Sequence, residues 1–208
     1  MKKVIILYLI CVAATINLFA QEKWEDRYDK IIEVPGTIKY DYDNDMGTYP
    51  VNKGIFAVMR DGKYGLYDAD ENDEIADPIL DSISVNIPHE GHLKFMFYGK
   101  WGVLNFKKGE VTVQPEYISI GKLSDVLIAQ SIDRKYGLVG IDGQVIVVPK
   151  YDNMLPDGRF TINNKWGLIN MNGTVKAQPL YDQIASDGRF LQDGKIGYMS
   201  INTGDIYI

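Results

Sequence analysis

The 208-residue chain has a single cysteine, Cys11, and only two histidines, His89 and His92. One cysteine closes no disulfide within a chain, so the core alone has to hold the fold. Positive charge is scarce as well: 22 Lys and Arg stand against 28 Asp and Glu, a net charge of -6. A chain this acidic repels phosphate backbones and anionic lipid headgroups, which argues against nucleic acid or a membrane surface as partner. There is no apolar run long enough to span a bilayer and stay there. What the chain does contain is 46% hydrophobic and 24% charged residues, the balance of a folded globular protein rather than a disordered one.

The first twenty residues read as a leader. Met1-Lys2-Lys3 gives a positive start, Val4 to Ala14 is nearly unbroken apolar sequence, and Leu18-Phe19-Ala20 ends on a small residue before Gln21. A lipoprotein cysteine would follow a small-residue box, whereas Cys11 lies inside the apolar run between Ile10 and Val12. Cleavage after residue 20 removes Cys11, Lys2 and Lys3 and leaves 188 residues with a net charge of -8. The expected location is therefore outside the cytoplasm, in the periplasm, at the cell surface or secreted, without stable membrane insertion once the leader is gone. Residues 21–208 read as a single domain.

That domain repeats itself. Lys, a large side chain, Gly and an apolar residue recur at Lys63-Tyr64-Gly65-Leu66, Lys100-Trp101-Gly102-Val103, Lys135-Tyr136-Gly137-Leu138, Lys165-Trp166-Gly167-Leu168 and Lys195-Ile196-Gly197-Tyr198. The lysines are spaced by 37, 35, 30 and 30 positions, while Pro78, Pro115, Pro149 and Pro179 follow them by a steady 15, 15, 14 and 14. A constant internal offset with variable outer spacing describes one structural unit joined by loops of different length. After each Pro comes an echo: Leu80-Asp81, Tyr117-Ile118, Tyr151-Asp152 and Tyr181-Asp182.

These motifs resemble the WG (KWG) repeat family of bacterial proteins, whose units carry a Lys-Trp-Gly core, a Gly turn and a Pro-x-Tyr-Asp closing segment. The resemblance runs from Phe56 to the C-terminus. It departs where Tyr64, Tyr136 and Ile196 replace Trp and where the last unit stops before its Pro-x-Tyr-Asp. It implies a β-repeat scaffold and no shared chemistry.

The residues themselves read as β. In the fourth unit Phe160 and Ile162 alternate with polar neighbours, and Asn163-Asn164 supplies the left-handed backbone of a tight hairpin. Lys165 to Asn170 returns with Trp166 and Leu168 on one face, and Asn172-Gly173 marks a second turn. In the second unit Val111 and Val113 are predicted inward, with Glu110, Thr112 and Gln114 outward. Pro179 cannot donate to a ladder, which predicts Tyr181 to Ile184 as the start of an edge strand. The fold class is therefore all-β: five antiparallel meander repeats, each too small to stand alone. Tyr28-Asp29-Lys30-Ile31 matches Tyr181-Asp182-Gln183-Ile184, the segment the last unit lacks. The N-terminal strand is thus expected to complete the last unit and close a five-bladed, propeller-like ring, with an open β-repeat stack as the alternative. Residues 33–54 fit no unit and read as an inserted loop or hairpin.

No set of residues marks catalysis. His89 and His92, three apart in Pro88-His89-Glu90-Gly91-His92, lack the four-residue helical spacing of a zinc protease and read as loop polarity. The mature chain has no thiol, and no Gly-x-Ser-x-Gly turn exposes a serine. Asp41-Tyr42-Asp43-Asn44-Asp45-Met46-Gly47 alternates carboxylates as a calcium loop does, but its Gly is one position late and Asn52 stands where a bidentate Glu belongs. Asp68, Asp70 and Asn72 repeat the alternation without the Gly; both segments read as solvated acidic turns. The repeated aromatics Tyr64, Trp101, Tyr136 and Trp166 could stack on sugars, but read as packing between units. Lys63, Lys100, Lys135, Lys165 and Lys195 read as solvated or paired with Asp29, Asp81, Asp152 and Asp182 rather than as an anion site. No catalytic residue, metal ligand or cofactor is therefore assigned, and the ligand-binding residues are not identifiable. The expected function is a secreted, non-enzymatic scaffold that binds a protein or glycan partner through loops between repeats. A polysaccharide hydrolase using an unmarked Asp/Glu pair is the alternative.

Overall fold

The computed structural model describes residues 23–38, 40–43, 47–50, 53–122 and 124–207. The leader, residues 1–20, and Asp45 of the acidic segment lie outside the described residues. A short 3-10 turn, Trp24–Arg27, precedes the first strand and is the only helical element among the described residues. No described helix is long and apolar enough to cross a membrane.

Five four-stranded antiparallel sheets follow one another along the chain. The first consists of β1 (Lys30–Glu33), then, after an inserted hairpin of β2 (Tyr40–Asp43) and β3 (Gly47–Pro50), of β4 (Ile55–Arg60), β5 (Lys63–Asp68) and β6 (Asp73–Leu80). The second is β7 (Ser82–His89), β8 (His92–Phe97), β9 (Lys100–Asn105) and β10 (Glu110–Tyr117). The third is β11 (Ser119–Ile120), β12 (Val126–Gln130), β13 (Tyr136–Gly140) and β14 (Val145–Tyr151). The fourth is β15 (Asn153–Met154), β16 (Arg159–Ile162), β17 (Lys165–Ile169) and β18 (Val175–Tyr181). The fifth is β19 (Gln183–Ile184), β20 (Arg189–Gln192), β21 (Lys195–Met199) and β22 (Ile206–Tyr207).

This frame corrects the assignment of the N-terminal strand. Lys30 to Glu33 pair with Met59 to Phe56, so β1 opens the first sheet, and the fifth sheet has a fourth strand of its own in β22. The echo between Tyr28-Asp29-Lys30-Ile31 and Tyr181-Asp182-Gln183-Ile184 is real, but it marks the hinge between sheets. Tyr181 ends the fourth strand of one sheet, paired with Trp166, and Gln183 begins the first strand of the next, paired with Leu191. The segment 181–184 is thus divided between two edge strands and is not one strand.

A second correction concerns the alternation in β10. Val113 is buried at 3% exposure, but Val111 is 42% exposed. The pairing with β9 shifts register between Val111 and Val113, and a bulge that takes up an extra residue turns the earlier side chain outward. The same shift recurs where β6, β14 and β18 pair with the strand before them.

The bulge explains the repeated glycine. A Cβ on Gly65, Gly137 or Gly167 would lie within 2.5, 2.4 or 2.8 Å of the carbonyl oxygen of Ala76, Val147 or Ala177, so the fourth strand fits only against a residue without a side chain. Gly102 meets Val113 in the same way, at 2.6 Å.

Side chains on either side of that glycine serve different neighbours. Leu168 packs forward with Tyr181, Ile184 and Met199, against the fifth sheet. Ile169 packs backward with Leu138, Tyr151 and Phe160, against the third. Equivalent clusters join the first sheet to the second and the second to the third. The backward face of the first sheet, Phe56, Val58 and Tyr67, is covered by the chain's own Trp24 and Tyr28, with Trp24 stacked on Tyr67 at 4.5 Å. Among the described residues no hydrophobic cluster joins the first and fifth sheets.

Trp166 is half-buried in the forward cluster of the fourth sheet. Trp166→Ala is expected to destabilise the protein by about 2 kcal/mol, because part of the ring is already in water. Chemical denaturation of the two proteins checks this.

Candidate functional site

The turn between β7 and β8 places both histidines. Glu90 and Gly91 adopt φ of 48° and 87°, and His89 pairs across the ladder with His92. His92 is committed to structure. Asn105 Oδ1 accepts the backbone N–H groups of Lys107 and Lys108 at 3.1 and 3.2 Å, so its amide nitrogen is the group that donates to His92 Nε2 at 3.2 Å. That leaves the proton on Nδ1, which donates to the carbonyl of His89 at 3.2 Å.

His89 behaves differently. Its Nε2 lies 2.9 Å from Asp125 Oδ1, reaching from the second sheet to the loop before β12, and the Glu90 carboxylate stands beside them. One ligand atom from each of His89, Glu90 and Asp125 falls within 4.8 Å of the others. These three are the described residues that could hold a cation. Bonds of zinc length, about 2.0–2.2 Å, would require them to draw closer, and Asp125 is 84% exposed. Ser124, the neighbouring hydroxyl, donates its proton to the carbonyl of Val126 and is not aimed at the pair.

Asp125 also lines a groove of about 500 Å³ with Gly121, Lys122, Ser124, Pro156 and Met171, between the third and fourth sheets. Glu90 lines a second groove, of about 370 Å³, with Gly36, Thr37, Gly91 and Lys107. Met171 fills the turn position that Ile141 and Ile201 hold in the neighbouring units, whereas Lys122, Asp125 and Pro156 have no such counterparts. Sequence reading singled out His89 but not Asp125, which stands 36 positions away and is joined to it only when the two sheets pack. For the acidic segment, β2 holds Asp41 and Asp43 while Asp45 falls outside the described residues. Asp68 Oδ1 accepts the N–H groups of Asp70 and Glu71, an ordinary acidic turn.

The repeated lysines pair forward. Lys63 donates to Asp81 at 2.6 Å, Lys165 to Asp182 at 2.5 Å, and Lys135 to Asp152. Each Asp turns its second oxygen to a backbone N–H in the next hairpin, from Gly99, Asn163 or Asp193. Lysine first, then these N–H donors, holds all three carboxyls below the ordinary 3.8. Lys100 meets no such acid, because Ile118 stands in that place. The aromatic row is equally occupied, with Tyr64, Trp101, Tyr136 and Trp166 each packed into a junction cluster.

A carboxyl with a lowered folded pKa stabilises fully above its unfolded value and ceases to do so as pH falls through the folded one. The melting temperature is therefore expected to fall on acidification below about pH 4. A variant with Asp81, Asp152 and Asp182 all changed to Asn should melt lower at neutral pH and lose less on acidification. Thermal melts from pH 6 to pH 2 measure both.

Residues 166–198 match the WG containing repeat family. The chain carries a WG containing repeat. The matched WG repeat runs from Trp166-Gly167 of the fourth sheet to Gly197-Tyr198 of the fifth, so it straddles a junction and does not coincide with a sheet. No curated protein matches the chain. Among solved structures, the chain is similar to the computationally designed Ika8 protein at 14% identity, covering 77% of this chain and 59% of that one, with a TM-score of 0.38. It is also similar to Kluyveromyces lactis Hsv2p at 12% identity, covering 82% of this chain and 62% of that one, with a TM-score of 0.36. The chain spans less than two thirds of the length of either.

Proposed function

We propose that this protein is an exported, non-enzymatic scaffold whose five sheets form an open array and which binds a protein or glycan partner through the loops between sheets. The observation that carries the binding reading is the division of labour among residues. Repeated Lys, aromatic, Gly and Asp positions are spent on the junctions, whereas the groove between the third and fourth sheets takes in residues that do not repeat, Lys122, Asp125 and Pro156. An open array is supported by Trp24 and Tyr28, which occupy the backward face of the first sheet that a closed ring would need for the fifth. Grooves of this kind, shallow and rimmed by loops, suit recognition better than enclosure of a substrate.

A glycan array and a pull-down with the purified protein test the reading. Retention of a defined ligand, weakened by Lys122→Glu and Asp125→Lys but not by Lys100→Ala, supports it. Retention unaffected by either groove variant overturns it. The hydrolase alternative has a specific pair to offer in Glu90 and Asp125, the latter in contact with His89. Release of reducing ends from a polysaccharide, abolished by Glu90→Gln, would favour that alternative.

A further inference from the structure

The junction between the fourth and fifth sheets is made of two complementary halves. The forward half, on the fourth sheet, contributes Lys165, a cation on the second strand and an apolar face. Arg159, paired with Leu168 in the ladder, sends Nη1 to the carbonyl of Ile184 in the next sheet at 2.8 Å. Lys94, paired with Val103 in the same position, sends Nζ to the carbonyls of Ile120 and Gly121 at 3.3 and 3.1 Å. The backward half contributes an aspartate just before the first strand and the carbonyls of that strand.

The fifth sheet carries the same forward half, and among the described residues no sheet stands before it. Lys195 occupies the position of Lys165, and among the described residues no acid meets it. Arg189 occupies the position of Arg159, paired with Tyr198, and is held only by its own Asp187. Ile196 is 76% and Tyr198 54% exposed, where Trp166 and Leu168 of the fourth sheet are half-buried and buried. The first sheet carries the matching backward half. Asp29 Oδ2 accepts the hairpin N–H of Asp61 at 2.9 Å, as Asp152 and Asp182 do with theirs, but no lysine among the described residues reaches its other oxygen. The two charged ends are therefore the separated parts of one junction.

We infer that the fifth sheet of one molecule docks on the first sheet of a second copy, head to tail, with Lys195 pairing with Asp29 and Ile196 and Tyr198 lying against the outer side of Trp24. This rests on the open-array reading. The contact is heterologous: the surface used at one end differs from that at the other, so assembly continues until it closes on itself or the ends run out. The N-terminal segment already roofs Tyr67, which leaves a modest apolar area for the partner and makes the charge pair decisive for register.

Sedimentation of the protein as its cells produce it, from about 5 to about 500 µM, is the test. The expected result is a mass that rises with concentration. Lys195→Glu and Asp29→Lys should each raise the association Kd more than about tenfold. An equimolar mixture of those two variants should regain the wild-type mass, because each restores the opposite charge to the other. Lys100→Glu, which removes a lysine of the same class inside the array, should behave as wild type. A wild-type mass that stays that of one chain throughout overturns the proposal, as does a mixture that fails to recover. If the mass stays constant and Lys195→Glu lowers the melting temperature, the two ends meet within one molecule and the open-array reading falls too. If it leaves the melting temperature unchanged, the open array stands without the assembly.

Discussion

Phe160→Ala is expected to destabilise the protein by about 3–5 kcal/mol, the largest effect of any single substitution considered for this chain. Phe160 is 1% exposed; its ring packs on Tyr151 of the third sheet at 4.2 Å and over the bare backbone of Gly167 on its own. Removing it leaves a cavity bounded by two sheets whose strands cannot collapse, because the glycine side is backbone and the tyrosine side is held in the bulged pairing with Tyr136. Among the described residues the hydrophobic clusters join only neighbouring sheets, so the loss should be local at first. Amide exchange should accelerate in the third and fourth sheets before the first. Denaturation together with exchange measures both the size and the spread. A loss under about 1 kcal/mol would mean that the junction repacks.

Gly137→Ala comes next, at about 3 kcal/mol. Its Cβ would stand 2.4 Å from the carbonyl oxygen of Val147 and 2.8 Å from the nitrogen of Pro149, both backbone atoms, so no side-chain rotation relieves the contact. Gly197→Ala is the informative comparison. There the nearest atoms belong to the ring of Phe190, and the fourth strand stops before the bulge is completed, so part of the strain can be taken up by ring movement. Melting curves of the two variants should differ, with the Gly137 variant the less stable.

The repeating features were legible because they answer local rules. Asn163 and Asn164 adopt φ of 49° and 63°, as a two-residue hairpin between alternating strands requires. The Lys–Asp pairs followed from their constant offset. What the sequence could not disclose was phase. Tyr-Asp is the same text whether it ends one sheet or begins the next, and only the ladder between β1 and β4 decides it. Val111 misled for a related reason: a bulge changes which face a residue occupies without changing its identity. Asp125 was invisible because its partnership with His89 depends on two loops of non-repeating sequence meeting across a junction.

The half-sheet offset of the repeat has a consequence for how such a chain can change length. A duplication spanning one 30-residue period, cut at Trp166 and again at Ile196, copies the last two strands of one sheet and the first two of the following one. The one new seam, Lys195 followed by Trp166, then falls within a third strand, inside a sheet and never at a junction. The inserted stretch arrives carrying its own lysine donor, its own aspartate acceptor and both halves of the apolar contact. Growth or loss by whole periods therefore leaves every interface of native composition.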